Sequence, residues 1–210
     1  MSAAAGWVLG VDFGVVNTAA ALRDPSGRVS ELRLSSTGVL MPSAVFCPEQ
    51  QLLVGDGALR AGLSDPGALV PYPKRRLADG MRCKLAVAGQ QAYVPGLVAA
   101  VFADVRKRAR EATGGDLPQD LMLSYPDIHH ASFAETSQRR DGLQEAADLL
   151  GCRRCQLVSD STAVTGLAQS EAQLVSPALL VVNFGAVRCD AVVCTRQYDG
   201  GYAAVAARSV

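Results

Sequence analysis

Val11-Asp12-Phe13-Gly14-Val15-Val16-Asn17 and Val182-Asn183-Phe184-Gly185-Ala186-Val187-Arg188 are two copies of one pattern. Each sets a short polar side chain at the end of an apolar strand, then Phe, then Gly, then a tight turn back into a second strand. Val8–Leu22 and Leu179–Val193 therefore read as twin hydrophobic hairpins bent around glycine loops. Glycine permits close approach and unusual backbone angles at such a bend. Successive amides around it can form a nest for an anion. Two facing nests could grip a polyphosphate, and two tight hairpins of a duplicated fold without a ligand would look the same.

Working outward, Val29–Leu34 alternates and predicts a third strand after the turn at Asp24-Pro-Ser-Gly27. Ser35–Gly96 differs, with prolines at 42, 48, 66, 71, 73 and 95 and brief strands at Ser43–Cys47 and Gln51–Val54. It reads as a loop-rich insertion packed on the first sheet. From Pro95 to about Ala112, Val98, Val101, Phe102, Val105 and Ala109 recur at helical spacing, and Gly114-Gly115 stops the helix. Strands follow at Asp120–Ser124 and Cys155–Val158, with helices at Ser132–Leu150 and Ser161–Gln173. Ala178–Asn183, Asp190–Thr195 and Gly201–Ala207 close the chain as strands. This alternation predicts an α/β fold whose sheet is parallel in part and antiparallel at the hairpins, hence mixed.

The 210 residues balance 20 basic against 20 acidic side chains, so no net charge draws the chain to nucleic acid or an anionic membrane. Arg106-Lys107-Arg108-Ala109-Arg110 lies on a helical pattern and reads as a solvated face, with no aromatic interleaving for nucleic-acid binding. No apolar run reaches the roughly 18 residues of a membrane span. The start lacks the basic region of a secretory signal, and six cysteines are too few for a disulfide scaffold. Cys152-Arg-Arg-Cys155 has CxxC spacing, but Cys189 and Cys194 are too far apart to make a second close pair, so ordinary thiols are expected. A cytoplasmic location follows. His129 and His130 beside Asp127 begin a helix and diverge in direction, so surface or capping roles are expected.

Leu9-Gly-Val-Asp-Phe-Gly-Val-Val-Asn-Thr18 resembles the first phosphate motif of the seventy-kilodalton heat-shock chaperone (DnaK) family, within the actin-like ATPases. Further matches follow in order. They are Met41-Pro-Ser-Ala-Val45, Val54-Gly55-Asp56-Gly57-Ala58, Lys74-Arg75, Tyr125-Pro126 with Gln138-Arg139, Ser159-Asp160-Ser161-Thr162-Ala163, and Val182-Asn183-Phe184-Gly185 with Asp190. The ordered set spans essentially the whole chain. The resemblance implies an actin-like ATPase (ribonuclease-H-like) mixed sheet with flanking helices. It places a first lobe at about residues 1–175, including the insertion at 35–96, and the incomplete beginning of a second at 176–210. A complete domain of this kind is far longer, so the resemblance implies a fragment or a truncated relative. It also implies ATP or ADP with Mg2+ between the lobes.

The resemblance assigns metal-side chemistry to Asp12 and catalytic roles to Lys74 and Asp160. Lys74 would contact the transferred phosphate and attacking water; a solvated lysine in a basic run is the other reading. Asp160 stands where the family has glutamate, one methylene longer, and a ~1 Å misplacement costs about a hundredfold in rate. Cofactor-binding positions are Gly14, Val15, Val16, Asn17, Gly185, Ala186 and Arg188. Val15 and Val16 replace threonines, Asn183 replaces an aspartate, Ala186 and Val187 replace glycines, and Arg188 replaces a threonine. These changes point to weak or absent hydrolysis in a degenerate nucleotide-binding module. The alternatives are a nucleotide-free scaffold or interaction domain and an ATP-dependent chaperone ATPase fragment. Partners implied are a client protein, a co-chaperone or a completing chain, with no nucleic acid and no membrane.

Overall fold

The computed structural model describes residues 6–48, 52–77, 84–126, 133–172, 176–187 and 189–209. Arg188 and the Asp127–His130 group lie outside the described residues. The elements run β1 (Val8–Phe13), β2 (Asn17–Arg23), β3 (Val29–Glu31), β4 (Met41–Pro42), β5 (Val45–Phe46), β6 (Leu53–Val54), α1 (Gly55–Gly62), β7 (Leu69–Val70) and α2 (Pro73–Arg76). They continue with β8 (Lys84–Val87), β9 (Gln90–Tyr93), α3 (Val94–Ala112), β10 (Asp120–Tyr125), α4 (Phe133–Asp148), β11 (Arg154–Ser159) and α5 (Asp160–Ala172). The last three are β12 (Ala178–Phe184), β13 (Cys189–Arg196) and β14 (Tyr202–Ser209).

The main sheet has the order β11-β10-β1-β2-β3, with β4 added to the far end of β2. β1 pairs parallel with β10, and β10 parallel with β11. The β1–β2 and β2–β3 pairs are antiparallel hairpins. β10–α4–β11 is thus a parallel crossover unit, in which a helix carries the chain back over the sheet. The fold is the mixed α/β sheet with flanking helices expected of the actin-like ATPases.

Core formation follows from alternation along the strands. Leu9, Val11 and Phe13 of β1 and Leu121 and Leu123 of β10 turn to one face and bury against the apolar stripe of α3. That stripe is Val94, Leu97, Val98, Val101, Phe102, Val105 and Ala109, which recurs at three and four residues because a helix turns every 3.6. Phe13 meets Phe102 edge to face, with ring centroids 5.2 Å apart. Gly114 and Gly115 end α3 at φ of +74° and +114°, left-handed angles that strain any residue with a side chain.

The insertion is more regular than expected, with β7, α2 and the β8–β9 hairpin beside its two brief strands. Residues 55–62 form helix α1, whereas the glycines and neighbouring prolines suggested loop. A separate small core drives it: Ala44, Phe46, Ala58 and Ala68 bury together, and the Leu69 side chain packs closely on Gly62. The third strand is also shorter than its alternation suggested, ending at Glu31.

β12, β13 and β14 form a second, antiparallel sheet with its own cluster of Val181, Val192, Cys194 and Tyr202. Leu180, Val182 and Phe184 alternate to its other face and are exposed. Among the described residues no helix is long and apolar enough to cross a membrane.

Candidate nucleotide site

Both hairpins bend through the same number of residues. Phe13 faces Thr18 across the first, and Phe184 faces Cys189 across the second, so each turn contains four. In the first, the Gly14 amide donates to the Asn17 carbonyl at 3.0 Å. An added β-carbon at Gly14 would lie well inside contact distance of that same oxygen, so the bend itself demands glycine. The return strand is fastened from behind. Thr18 Oγ1 and Ser43 Oγ lie 2.8 Å apart, both fully buried, and the Ser43 amide donates to the Val16 carbonyl at 2.7 Å.

A cleft of about 530 Å³ lies against both bends. It is lined by Asp12, Gly14, Val15, Val16 and Asn17 from the first and by Asn183, Phe184, Gly185, Ala186, Val187 and Asp190 from the second. Lys74 and Arg75 of α2, Arg139 and Leu143 of α4, and Asp160 at the start of α5 complete much of the wall. Every candidate residue named from sequence lines this one cleft except Arg188, which lies outside the described residues. The volume is ordinary for a small-molecule site.

The topology explains why the cleft forms there. Asp12, Ser124 and Ser159 stand at or next to the carboxyl ends of three adjacent parallel strands, the edge at which open α/β sheets bind ligands. Ser159 Oγ accepts the Thr162 amide at 3.2 Å and caps the first turn of α5, which sets Asp160 at the rim. Lys74 Nζ sits 5.9 Å above the Phe13 ring, so the core edge-to-face pair also supports a cation of the cleft wall.

Among the described lining residues, three carboxylates (Asp12, Asp160, Asp190) balance three cations (Lys74, Arg75, Arg139). Hard oxygen donors of this kind suit Mg2+ rather than a soft metal. Among the described residues no three His, Cys, Asp or Glu side chains converge closely enough to hold a metal alone. Asp12, Asp160 and Asp190 supply the single-oxygen contacts that suit a cation keeping most of its water ligands.

Sequence reasoning left two site features unassigned. Asp190 is 5% exposed and is the cross-strand partner of Asn183, so a carboxylate stands beside the position where the amide replaces one. Its place in the motif was visible, but its inward direction is set by the pairing. Ser124 Oγ donates to Asp12 Oδ1 at 3.1 Å, across a separation of 112 residues that no local signal spans. Burial pushes the Cys155 thiol up to about 11 and raises the Cys152 thiol as well.

No protein-family model matches the chain. The chain is similar to the chaperone protein DnaK of Nitrosopumilus maritimus, at 24% identity over 90% of this chain and 29% of that protein. It is similar to the DnaK of Methanothermobacter thermautotrophicus at 26% identity, over 92% of this chain and 31% of that protein. With the DnaK of Elusimicrobium minutum it shares 30% identity over 74% of this chain and 24% of that protein. The chain thus spans a quarter to a third of the length of these relatives. The chain is therefore distantly similar to DnaK chaperones over a part of their length.

Proposed function

We propose that the chain is a chaperone-type nucleotide-binding module that takes ATP or ADP with Mg2+ in the cleft and hydrolyses ATP weakly or not at all. The observation that carries this reading is the meeting of both glycine bends, three carboxylates and three cations around one cleft. Asp12 would contact a hydrated cation, whose chemistry is to offset phosphate charge, and Asp160 would order its water. Lys74, on the cleft wall, would contact the transferred phosphate and attacking water. The bends at Gly14–Asn17 and Gly185–Ala186 offer backbone amides to phosphate oxygens.

The same cleft accounts for slow turnover. Val15 and Val16 bring no hydroxyl, Asn183 no charge, and the β-carbons of Ala186 and Val187 stand where close approach of an oxygen is needed. Phosphoryl transfer depends on positioning and charge, so each loss falls on the step itself. The lobes divide near residue 175, a division supported by the separate cores of the two large sheets. We also place the protein in the cytoplasm, with a client, a co-chaperone or a completing chain as partner. Calorimetry with ATP, with and without Mg2+, tests binding, and absence of heat overturns it. Turnover assays on the chain and on Asn183→Asp test the impairment. Unmutated turnover equal to that of a DnaK assayed alongside overturns it.

A second reading, a nucleotide-free interaction domain, is favoured by the exposed Leu180, Val182 and Phe184, the last 82% exposed at the cleft rim. An apolar stripe of this kind marks a contact surface. Concentration-dependent gel filtration together with silent ATP calorimetry would establish that reading instead.

A further inference from the structure

We propose that Ser124 is a positioning residue for a hydrated divalent cation, acting by presenting one oxygen of Asp12 to the cleft; this rests on the nucleotide reading above. Val11 and Leu123 are register partners in the parallel β1–β10 pair, and both turn inward, at 3% and 0% exposure. Alternation then puts their successors, Asp12 and Ser124, side by side on the opposite face at the carboxyl ends of both strands. There the Ser124 hydroxyl donates to Asp12 Oδ1 at 3.1 Å.

The contact is not needed to join the strands. A backbone ladder and the buried Leu9, Val11, Leu121 and Leu123 already do so. Asp12 is exposed and Ser124 only half-buried, so a neutral donor there adds little stability. What the hydroxyl changes is orientation. The carboxylate torsion is broad and nearly two-fold when unrestrained, and a donor fixed to Oδ1 holds the plane and leaves Oδ2 for the ligand. One oxygen held this way suits a cation that retains most of its waters, in which the protein supplies single-oxygen contacts. Asp12 alone would sample both faces and bind such an ion more weakly.

The test uses Mn2+ as the spectroscopic substitute for Mg2+, with the full chain, in the presence and absence of ADP. The dissociation constant is read from water-proton relaxation. Ser124→Thr and Ser124→Val differ only in the hydroxyl and fill nearly the same space, so the pair separates donation from packing. Ser124→Thr is expected to retain the wild-type manganese affinity and Ser124→Val to lose about tenfold, the scale of an outer partner to a metal ligand. Thermal melting of the two variants is expected to coincide. Equal manganese affinity of Thr and Val variants overturns the proposal. Absence of manganese binding in both conditions also overturns it, whether or not ADP binds. Manganese bound with the Thr–Val difference but without any ADP binding supports the role of Ser124 and overturns the nucleotide reading alone.

Discussion

Gly14→Ala and Gly57→Ala make the same chemical change and are expected to move stability in opposite directions. At Gly14 the added β-carbon meets the Asn17 carbonyl oxygen, which also accepts the Gly14 amide at 3.0 Å. The turn must open. That removes a net hydrogen-bond contribution of about 1 kcal/mol and adds about 1–3 kcal/mol of overpacking against backbone, which cannot swing aside as a side chain can. The expected destabilisation is therefore about 2–4 kcal/mol. Gly57 lies inside α1 with nothing within 4 Å of its added β-carbon and no positive φ. Alanine there lowers the entropy of the unfolded chain and is expected to stabilise by about 0.5–1 kcal/mol. Urea unfolding followed by circular dichroism measures both. With a slope of about 2 kcal/mol per molar, the Gly14→Ala midpoint falls by about 1–2 M and the Gly57→Ala midpoint rises slightly. Midpoints shifting in the same direction, or Gly14→Ala unfolding with the wild type, would refute the close-approach reasoning.

Phe102→Ala removes the edge partner of Phe13 and is expected to cost about 3–5 kcal/mol, lowering the melting temperature by about 10 °C in calorimetry. Tyr93 donates to Glu145, and that hydrogen bond, with burial, raises its phenol to about 12. Its stabilising contribution is full below the unfolded value of about 10 and is lost as pH rises through about 12. An absorbance titration should show one late phenol that disappears in Tyr93→Phe. Asp120 accepts from Arg154 and Arg153 across the β10–β11 pair, and the Arg154 hydrogen bond leads in lowering its carboxyl. That contribution is full above the unfolded value of about 3.9 and is lost as pH falls through the lowered folded value. Both arginines are mostly exposed, so Asp120→Asn should flatten the acid limb of the stability profile only slightly, as read from urea midpoints against pH.

Much of the fold is written locally. The stripe of α3 is a 3.6-residue period ended by two glycines, and the strands on either side of α4 and α5 lie within a residue or two of their apolar runs. Helix α1 was not legible in this way. Gly57 and Gly62 each weaken a helix by about 1 kcal/mol relative to alanine, and burial of Ala58 and Gly62 against the small core outweighed that local preference. For the cleft, the two glycine bends announced themselves as a repeat, and Lys74 and Asp160 through their motifs. The seating of Lys74 over Phe13 had no local signature.

By itself, then, the sequence determined the twin hairpins bent around glycine and the inward face of α3, because each follows from neighbours a few residues apart. Only the tertiary structure decided that Ser124 stands beside Asp12 and that Lys74 sits over Phe13. The physical reason is that periodicity tells which face of a strand is apolar but not which strand lies next to it. Parallel partners and their register are chosen by the burial of the whole sheet, and shifting β10 by one residue would carry Ser124 to the opposite face and away from the carboxylate.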